Sequence, residues 1–288
     1  MKKQVKQILY AHPYDMGGMP IRQPFPTNRV DQIGPFILLH HLNVKVPTHI
    51  PPRQAGVGPH PHRGFSPVSF IFQGGVHHRD SRGNNSVIEA GGTQWMNAGM
   101  GIIHSERPPE NIHELGGVQE LIQLWINTPA KYKMQEPKYF PLSKENTPVF
   151  KTTSDDAELY IISGELKGIK GPIPSQSPLN AATLYMKAGA KIDLQVPTNH
   201  HSLIYILSGN VKLDGFGMVE PLNAVNFEMD GTDIHIEALE EARILFLTGE
   251  EIPEKKVAQG PFVMNSETEI MEAYRDYQMG KMGILIEE

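Results

Sequence analysis

Two short runs carry the residues most able to do chemistry. His60 and His62 stand one residue apart in GPHPHRGF, and His104 and Glu106 stand one residue apart in GIIHSE. In an extended strand, residues i and i+2 point to the same face, so each pair can aim two ligands at one point. Two such strands on adjoining parts of a barrel wall would gather three imidazoles and one carboxylate. A set of three nitrogens and one oxygen suits Fe(II), Mn(II), Ni(II), Cu(II) or Zn(II), and is too nitrogen-rich for Mg or Ca. With octahedral coordination, two positions stay open for water, substrate or dioxygen, the logic of non-haem iron oxygenases. A closed structural zinc site would more often use thiolates, and the chain has no cysteine.

A chain with 13 histidines contains some close pairs by accident, and one HxH pair alone is weak evidence. Two pairs, one containing an acid, are much harder to attribute to chance. They are separated by a glycine-punctuated span (Gly74-Gly75, Gly83, Gly91-Gly92, Gly99 and Gly101), as expected of strands joined by turns.

The elements that must position these pairs read as short antiparallel strands. In Pro67–Gln73, Val68, Phe70 and Phe72 share one face, with Ser69 and Gln73 on the other. In Glu120–Asn127 the apolar set is Ile122, Leu124 and Ile126. Later runs are Leu203–Leu207 before Ser208-Gly209-Asn210, Val211–Leu213 before Asp214-Gly215, and Arg243–Thr248. The spacing predicts one helix, near the end. Ser266 and Glu269 have capping-box spacing, and Ile270, Tyr274 and Tyr277 form a stripe before Gly280. The remainder reads as strand and loop.

At 288 residues the chain suits two domains of roughly 100–150 residues each. The Lys-, Pro- and Glu-rich stretch from Asn127 to Thr153 reads as the crossover between them, with the expected division at 1–145 and 146–288. The halves are weakly alike. Each sets a His-bearing segment before a strand ending in Gly (His60 to Gly74, His200 to Gly209) and a second His-bearing segment after it, around His104 and His235. Abundant, scattered Gly (27) and Pro (24) fit an all-β protein. A net charge of −6 with no basic cluster argues against direct nucleic-acid binding. No run approaches 18 apolar residues, so no membrane span is expected, and MKKQVKQILYAHPYD lacks the apolar stretch of a secretory signal. The missing cysteines fit a reducing compartment, and a cytoplasmic location is the expectation.

Other candidates have plainer explanations. His78 and Asp80, in HHRDS, could reach a substrate entrance, but an Asp-stabilised turn accounts for them, and His77 reads as exposed. Adjacent strand residues face opposite ways, so His200 and His201 cannot chelate as a pair, and with His235 they suggest a metal-free second barrel. His12, His40, His41 and His49 read as structural, Trp95 and Trp125 could line the pocket although core packing explains them, and at least one of Gly99 and Gly101 reads as a positive-φ turn position.

The runs GPHPHRGFSPVSFIFQGGVHHRDSRGN, GGTQWMNAGMGIIHSE and QLWINTPAKYKMQEPKYF, with the later PFVMNSETEI, resemble the pirin family of the cupin superfamily. The likeness is strong over residues 15–145 and moderate over 150–280. It implies two tandem cupin domains, each a jelly-roll β-barrel, with a short C-terminal helix. It also implies one metal, most often iron, in the N-terminal barrel. Carried over residue by residue, the ligands are His60, His62, His104 and Glu106. Cupins often take their acid three or four residues after HxH; here those positions are Phe65 and Ser66, so Glu106 supplies it.

The resemblance implies two functional classes. Some pirins resemble quercetin 2,3-dioxygenases, which open the heterocycle of a flavonol with dioxygen and release carbon monoxide. Glu106 would then be the general base for the acidified 3-hydroxyl. Other pirins act as metal-dependent, redox-responsive partners of transcription factors or metabolic enzymes. The enzyme reading leads, with a flavonol-like aromatic and dioxygen as reactants; a protein partner belongs to the alternative.

Overall fold

A computed structural model describes residues 1–287 of the chain. The chain divides into two compact units, each assembled from three segments. One comprises Tyr14–Ile21, Leu38–Lys144 and Ile252 onward; the other comprises Met1–Pro13, Arg22–Ile37 and Glu145–Glu251. Both are antiparallel β-structures, as the alternating runs predict.

In the unit holding the histidine pairs, a four-stranded sheet runs in the order Val57–His62, Ile102–Arg107, Gly75–Asp80, Asn85–Glu89. A larger sheet places Lys138–Leu142, Thr93–Asn97, Phe65–Gln73, Val118–Asn127 and Phe36–Lys45 side by side, then continues into Met19–Phe25 and His12–Met16; of the last three strands, residues 38–45, 19–21 and 14–16 belong to this unit. The Phe65–Gln73 strand departs from the expected one-sided pattern, because it is buried from Phe65 to Phe72 on both faces. Val68, Phe70 and Phe72 enter the apolar core, while Ser69 turns to an interior polar group. Its partner Val118–Asn127 is two-faced in the same way. Ile122, Leu124 and Ile126 are buried in the core, and Leu121, Gln123 and Trp125 line a cavity.

In the other unit, a seven-stranded sheet runs Val5–Tyr10, Asn223–Phe227, His200–Ser208, Ala242–Glu250, Leu179–Met186, Ala157–Ser163, Val149–Lys151. A four-stranded sheet runs Lys191–Gln195, Asp233–Ala238, Val211–Leu213, Gly217–Val219. The inward side chains, among them Leu159, Leu184, Ile204, Ile236 and Phe246, fill its core completely.

The helix expected near the end spans Glu267–Gln278. Ser266 Oγ accepts from the Glu269 amide, and Glu269 Oε2 accepts from the Asn265 amide, satisfying otherwise orphaned helix donors. Two corrections apply to it. Its buried face is Ile270 and Ala273, with Tyr274 alongside and Tyr277 largely exposed. It also packs on Phe262, Met264, Met282 and Ile103, which places it in the unit of the histidine pairs and not with the later segment. The stretch expected as a crossover is structured too: it contains a helical turn, Ala130–Lys133, and the strand Lys138–Leu142 paired with Thr93–Asn97. A further short helix, Glu110–Leu115, lies where loop was expected. Both short helices start after proline (Pro109, Pro129) with no side-chain cap, so they lack the usual start signal. Among the described residues no helix is long and apolar enough to cross a membrane.

Candidate metal centre

The four-stranded sheet brings the two motifs together by register. His104 lies directly opposite His60, and Ile102 lies opposite His62. A bulge then separates His104 from Glu106, which pairs with Val57 on one side and with His78 on the other. The turn after His62 needs glycine. Gly64 has φ +84°, and a Cβ there would sit 2.1 Å from the Val263 carbonyl oxygen. Before His104, Gly99 and Gly101 both have positive φ, and a Cβ on Gly99 would meet the Gln135 carbonyl oxygen at 2.1 Å. Arg63 fixes the turn by donating to the Met100 carbonyl and to Asp276 on the terminal helix.

His60, His62 and His104 converge, with one nitrogen of each lying within 4.8 Å of the others. The rings of His60 and His104 are 4.4 Å apart between centroids, and those of His62 and His104 are 5.0 Å apart. Each outer nitrogen has a partner. His60 Nδ1 donates to the Gly58 carbonyl at 2.8 Å and His62 Nδ1 to the Pro261 carbonyl at 3.3 Å. With both protons on Nδ1, the two Nε2 atoms face each other at 3.0 Å as bare lone pairs. His104 Nδ1 meets His78 Nδ1 at 3.4 Å, and His104 Nε2 is buried with no hydrogen-bond partner. The inward Nε2 atoms of the three rings thus crowd one point, an arrangement that a cation would satisfy.

The electrostatics agree. Burial pushes the imidazolium form of His62 well down, with help from the neighbouring His60. His104 is also held well below the usual histidine range by burial, then by His60, His62 and His78. Neutral imidazoles are the form a metal requires.

Glu106 lines the same cavity as His60 and His62 but is not among the three groups that converge. Its Oε1 accepts from Ser69 Oγ at 2.6 Å and its Oε2 from Gln123 Nε2 at 2.6 Å. Trp125 Nε1 donates in turn to Gln123 Oε1 at 3.2 Å. The carboxylate is therefore held by a network spanning three strands.

The cavity beside the histidines measures about 280 Å³. Its apolar wall is Met16, Met19, Ile21, Leu42, Val76, Leu121 and Trp125, and its polar points are His40, Gln119, Gln123 and Glu106. No lysine or arginine lines it among the described residues. Burial pushes His40 down to about 4, so it presents a neutral ring. His40 thus differs from expectation by facing the cavity, and of the two tryptophans it is Trp125 that borders the site, against His62 at 5.4 Å. Trp95 is fully buried and donates to Asn97.

His78 and Asp80 do more than form a turn. Asp80 Oδ1 accepts the Arg82 and Asn84 amides, as a turn-stabilising aspartate does, but His78 is fully buried and contacts His104. The clue was available, since His78 and Asp80 are themselves an i, i+2 pair. His77 bonds Asn85 Oδ1. His200, His201 and His235 have separate partners in Thr248, Glu251 and Asp193.

Comparison with known proteins agrees with this geometry. A family model described as Pirin matches residues 18–126, and one described as the Pirin C-terminal cupin domain matches residues 181–283. The chain is 35% identical over 286 residues to Pirin-1 of Arabidopsis thaliana, covering 97% of this chain and 94% of that protein. The crystal structure of quercetin 2,3-dioxygenase from Acinetobacter baumannii is similar at a TM-score of 0.91 and 33% identity, covering 99% of this chain and all of that one. Bacterial pirin YhhW from Escherichia coli, in complex with nickel(II), shares the fold at a TM-score of 0.69 and 17% identity, over 85% of this chain and 99% of that one. With the HPH and HSE motifs converging inside such a barrel, the chain belongs to the pirin family, as a two-cupin β-barrel protein with a histidine cluster able to hold a metal.

Proposed function

We propose that this protein is a metal-dependent dioxygenase acting on a flavonol such as quercetin. One divalent transition metal, iron(II) by preference, is held by His60, His62, His104 and Glu106. The observation that supports it most is the convergence of three imidazole nitrogens, two of them on fully buried rings, beside an apolar cavity of about 280 Å³. Such a cavity favours a flat, largely apolar molecule. With no lysine or arginine among the described lining residues, only the metal itself would neutralise an anionic group there.

A metal bound there supplies Lewis acidity for the flavonol 3-hydroxyl and a redox partner for dioxygen. Met19, Leu42, Leu121 and Trp125 would grip the ring system and exclude water. Glu106 is suited to take the hydroxyl proton, because each of its oxygens accepts only one hydrogen bond and retains a lone pair. Ser69 and Gln123 hold that carboxylate at the cavity wall while it does so. Dioxygen then adds across the activated heterocycle, which opens and loses carbon monoxide. Glu106 is also the fourth ligand in this reading, with its network supplying the orientation that ligating carboxylates require.

The test is oxygen uptake with quercetin by iron-loaded wild type, His60→Ala and Glu106→Ala. Uptake by wild type and its loss in both variants is the expected result. Turnover undiminished in Glu106→Ala removes its assigned role. Tight metal binding with no uptake overturns the dioxygenase reading in favour of a metal-dependent, redox-responsive protein-binding module.

A further inference from the structure

Behind His104 a hydrogen-bonded chain of side chains leads to a buried carboxylate. His104 Nδ1 faces His78 Nδ1 at 3.4 Å, and His78 Nε2 donates to Asp80 Oδ2 at 3.0 Å. All three residues are at most 4% exposed, so water does not screen the chain. The His78 ring is clamped by stacking on Tyr139, with centroids 3.9 Å apart and planes 4° from parallel, and the Tyr139 hydroxyl is tied to Ser86.

Two premises fix the proton positions: a carboxylate only accepts, and each imidazole carries a single ring proton. Asp80 therefore demands a proton on His78 Nε2. With its single ring proton there, His78 has a bare Nδ1, which can only accept, so His104 must carry its proton on Nδ1. His104 Nε2 is left as a lone pair facing His60 and His62, the atom found buried without a partner. The turn does not need this arrangement. Asp80 Oδ1 alone takes the Arg82 and Asn84 amides, while Oδ2 faces His78 and the Asn84 side chain.

We propose that Asp80 and His78 are positioning residues that lock His104 in the Nδ1–H tautomer, and so set how tightly the centre binds its metal. The proposal rests on the metal-centre reading above. It assigns a role to two residues that touch neither metal nor substrate.

Asp80→Asn separates the two functions of the aspartate. Its Oδ1 can keep both backbone amides, which turns the amide NH2 toward His78. His78 Nε2 must then accept, its proton moves to Nδ1, and His104 answers by carrying its own proton on Nε2, where it blocks the metal. Loss of an outer hydrogen-bond partner of this kind typically costs 10–100-fold in metal affinity. His78→Asn offers a rescue, because its Oδ1 lies near the position of Nδ1 and still accepts from His104. His78→Leu offers none, although both lose the stacked ring.

The experiment has two arms. Long-range proton–nitrogen NMR of the metal-free, histidine-labelled protein reads the His104 tautomer directly in the wild type, with no variant needed. Cobalt(II) affinity is then measured by chelator competition in wild type, Asp80→Asn, His78→Asn and His78→Leu. The expected result is an Nδ1–H tautomer in wild type, inverted in Asp80→Asn. Affinity should fall 10–100-fold in Asp80→Asn and His78→Leu and stay near wild type in His78→Asn. An Nε2–H tautomer in the wild type, or wild-type affinity in both Asp80→Asn and His78→Leu, overturns the relay. A wild type that binds no cobalt overturns the metal-centre reading instead, and the tautomer arm still decides the relay.

Discussion

Acid will destabilise the protein through the same histidines that converge at the candidate metal centre. His62 and His104 titrate near 6.5 when unfolded but are held well below that value in the fold, chiefly by burial. Below pH 6.5 the unfolded chain therefore binds protons that the folded chain refuses, and stability falls as pH falls; above pH 6.5 both states are neutral and the effect vanishes. Between pH 7.5 and 5.5, each such histidine contributes a loss of roughly 1–2 kcal/mol. Urea unfolding in the presence of a chelator, repeated across this interval, measures the loss. His104→Gln isolates one share, because the amide does not titrate here. Its drop should be smaller than that of wild type by roughly 1–2 kcal/mol, with contributions from His40 and His200 cancelling in the comparison. Identical pH dependence in wild type and His104→Gln would refute the reasoning, since it would mean that the site admits a proton in the fold.

Three further outcomes follow from named contacts. Lys133 Nζ donates to the Gly64 and Val263 carbonyls and to Asn127 Oδ1 at 2.6–2.9 Å, so Lys133→Met orphans three oxygens at about 1–3 kcal/mol each. Removal of an ammonium that burial has pulled down to about 7 offsets part of this, and chemical denaturation should still show a net loss. Gly64→Ala adds at least about 1–2 kcal/mol of backbone strain, plus a clash with the Val263 carbonyl that only a shift of the HPH turn can relieve. Lower stability together with weaker metal binding is expected, and unchanged values would contradict the assigned tight turn. Trp125→Ala removes an aromatic wall worth about 1.5–3 kcal/mol of burial, so KM for the flavonol should rise about 10–100-fold while metal stoichiometry stays constant; an unchanged KM would place the substrate elsewhere.

What the sequence makes legible here is local. The HPH and HSE pairs could be recognised because strand geometry alone puts i and i+2 on one face, and the alternation of Ile122, Leu124 and Ile126 marks a core face for the same reason. The hydroxyl of Ser69 and the amide of Gln123 gave no such signal, because their role depends on which strands lie across from Glu106. Trp125 is ambiguous between core and pocket for a related reason: its strand has two buried faces, and only the cavity distinguishes them. His78 and Asp80 did carry the i, i+2 signal, yet the turn that Asp80 also makes gave a sufficient local explanation. The exchange of chain ends between the two units, which puts Pro261 against His62 and the terminal helix against Ile103, rests on contacts more than 150 residues apart in sequence. Nothing within a strand-length window encodes it.

The central claim is that three imidazole nitrogens and one carboxylate meet on a single ion. Elemental analysis of protein reconstituted with iron(II), alongside His62→Ala and His104→Ala, tests it most directly. The account predicts one metal per chain in the wild type and almost none in either variant, with both variants still folded by circular dichroism. Full metal content without His104, or a wild type that stays empty after reconstitution, would contradict it.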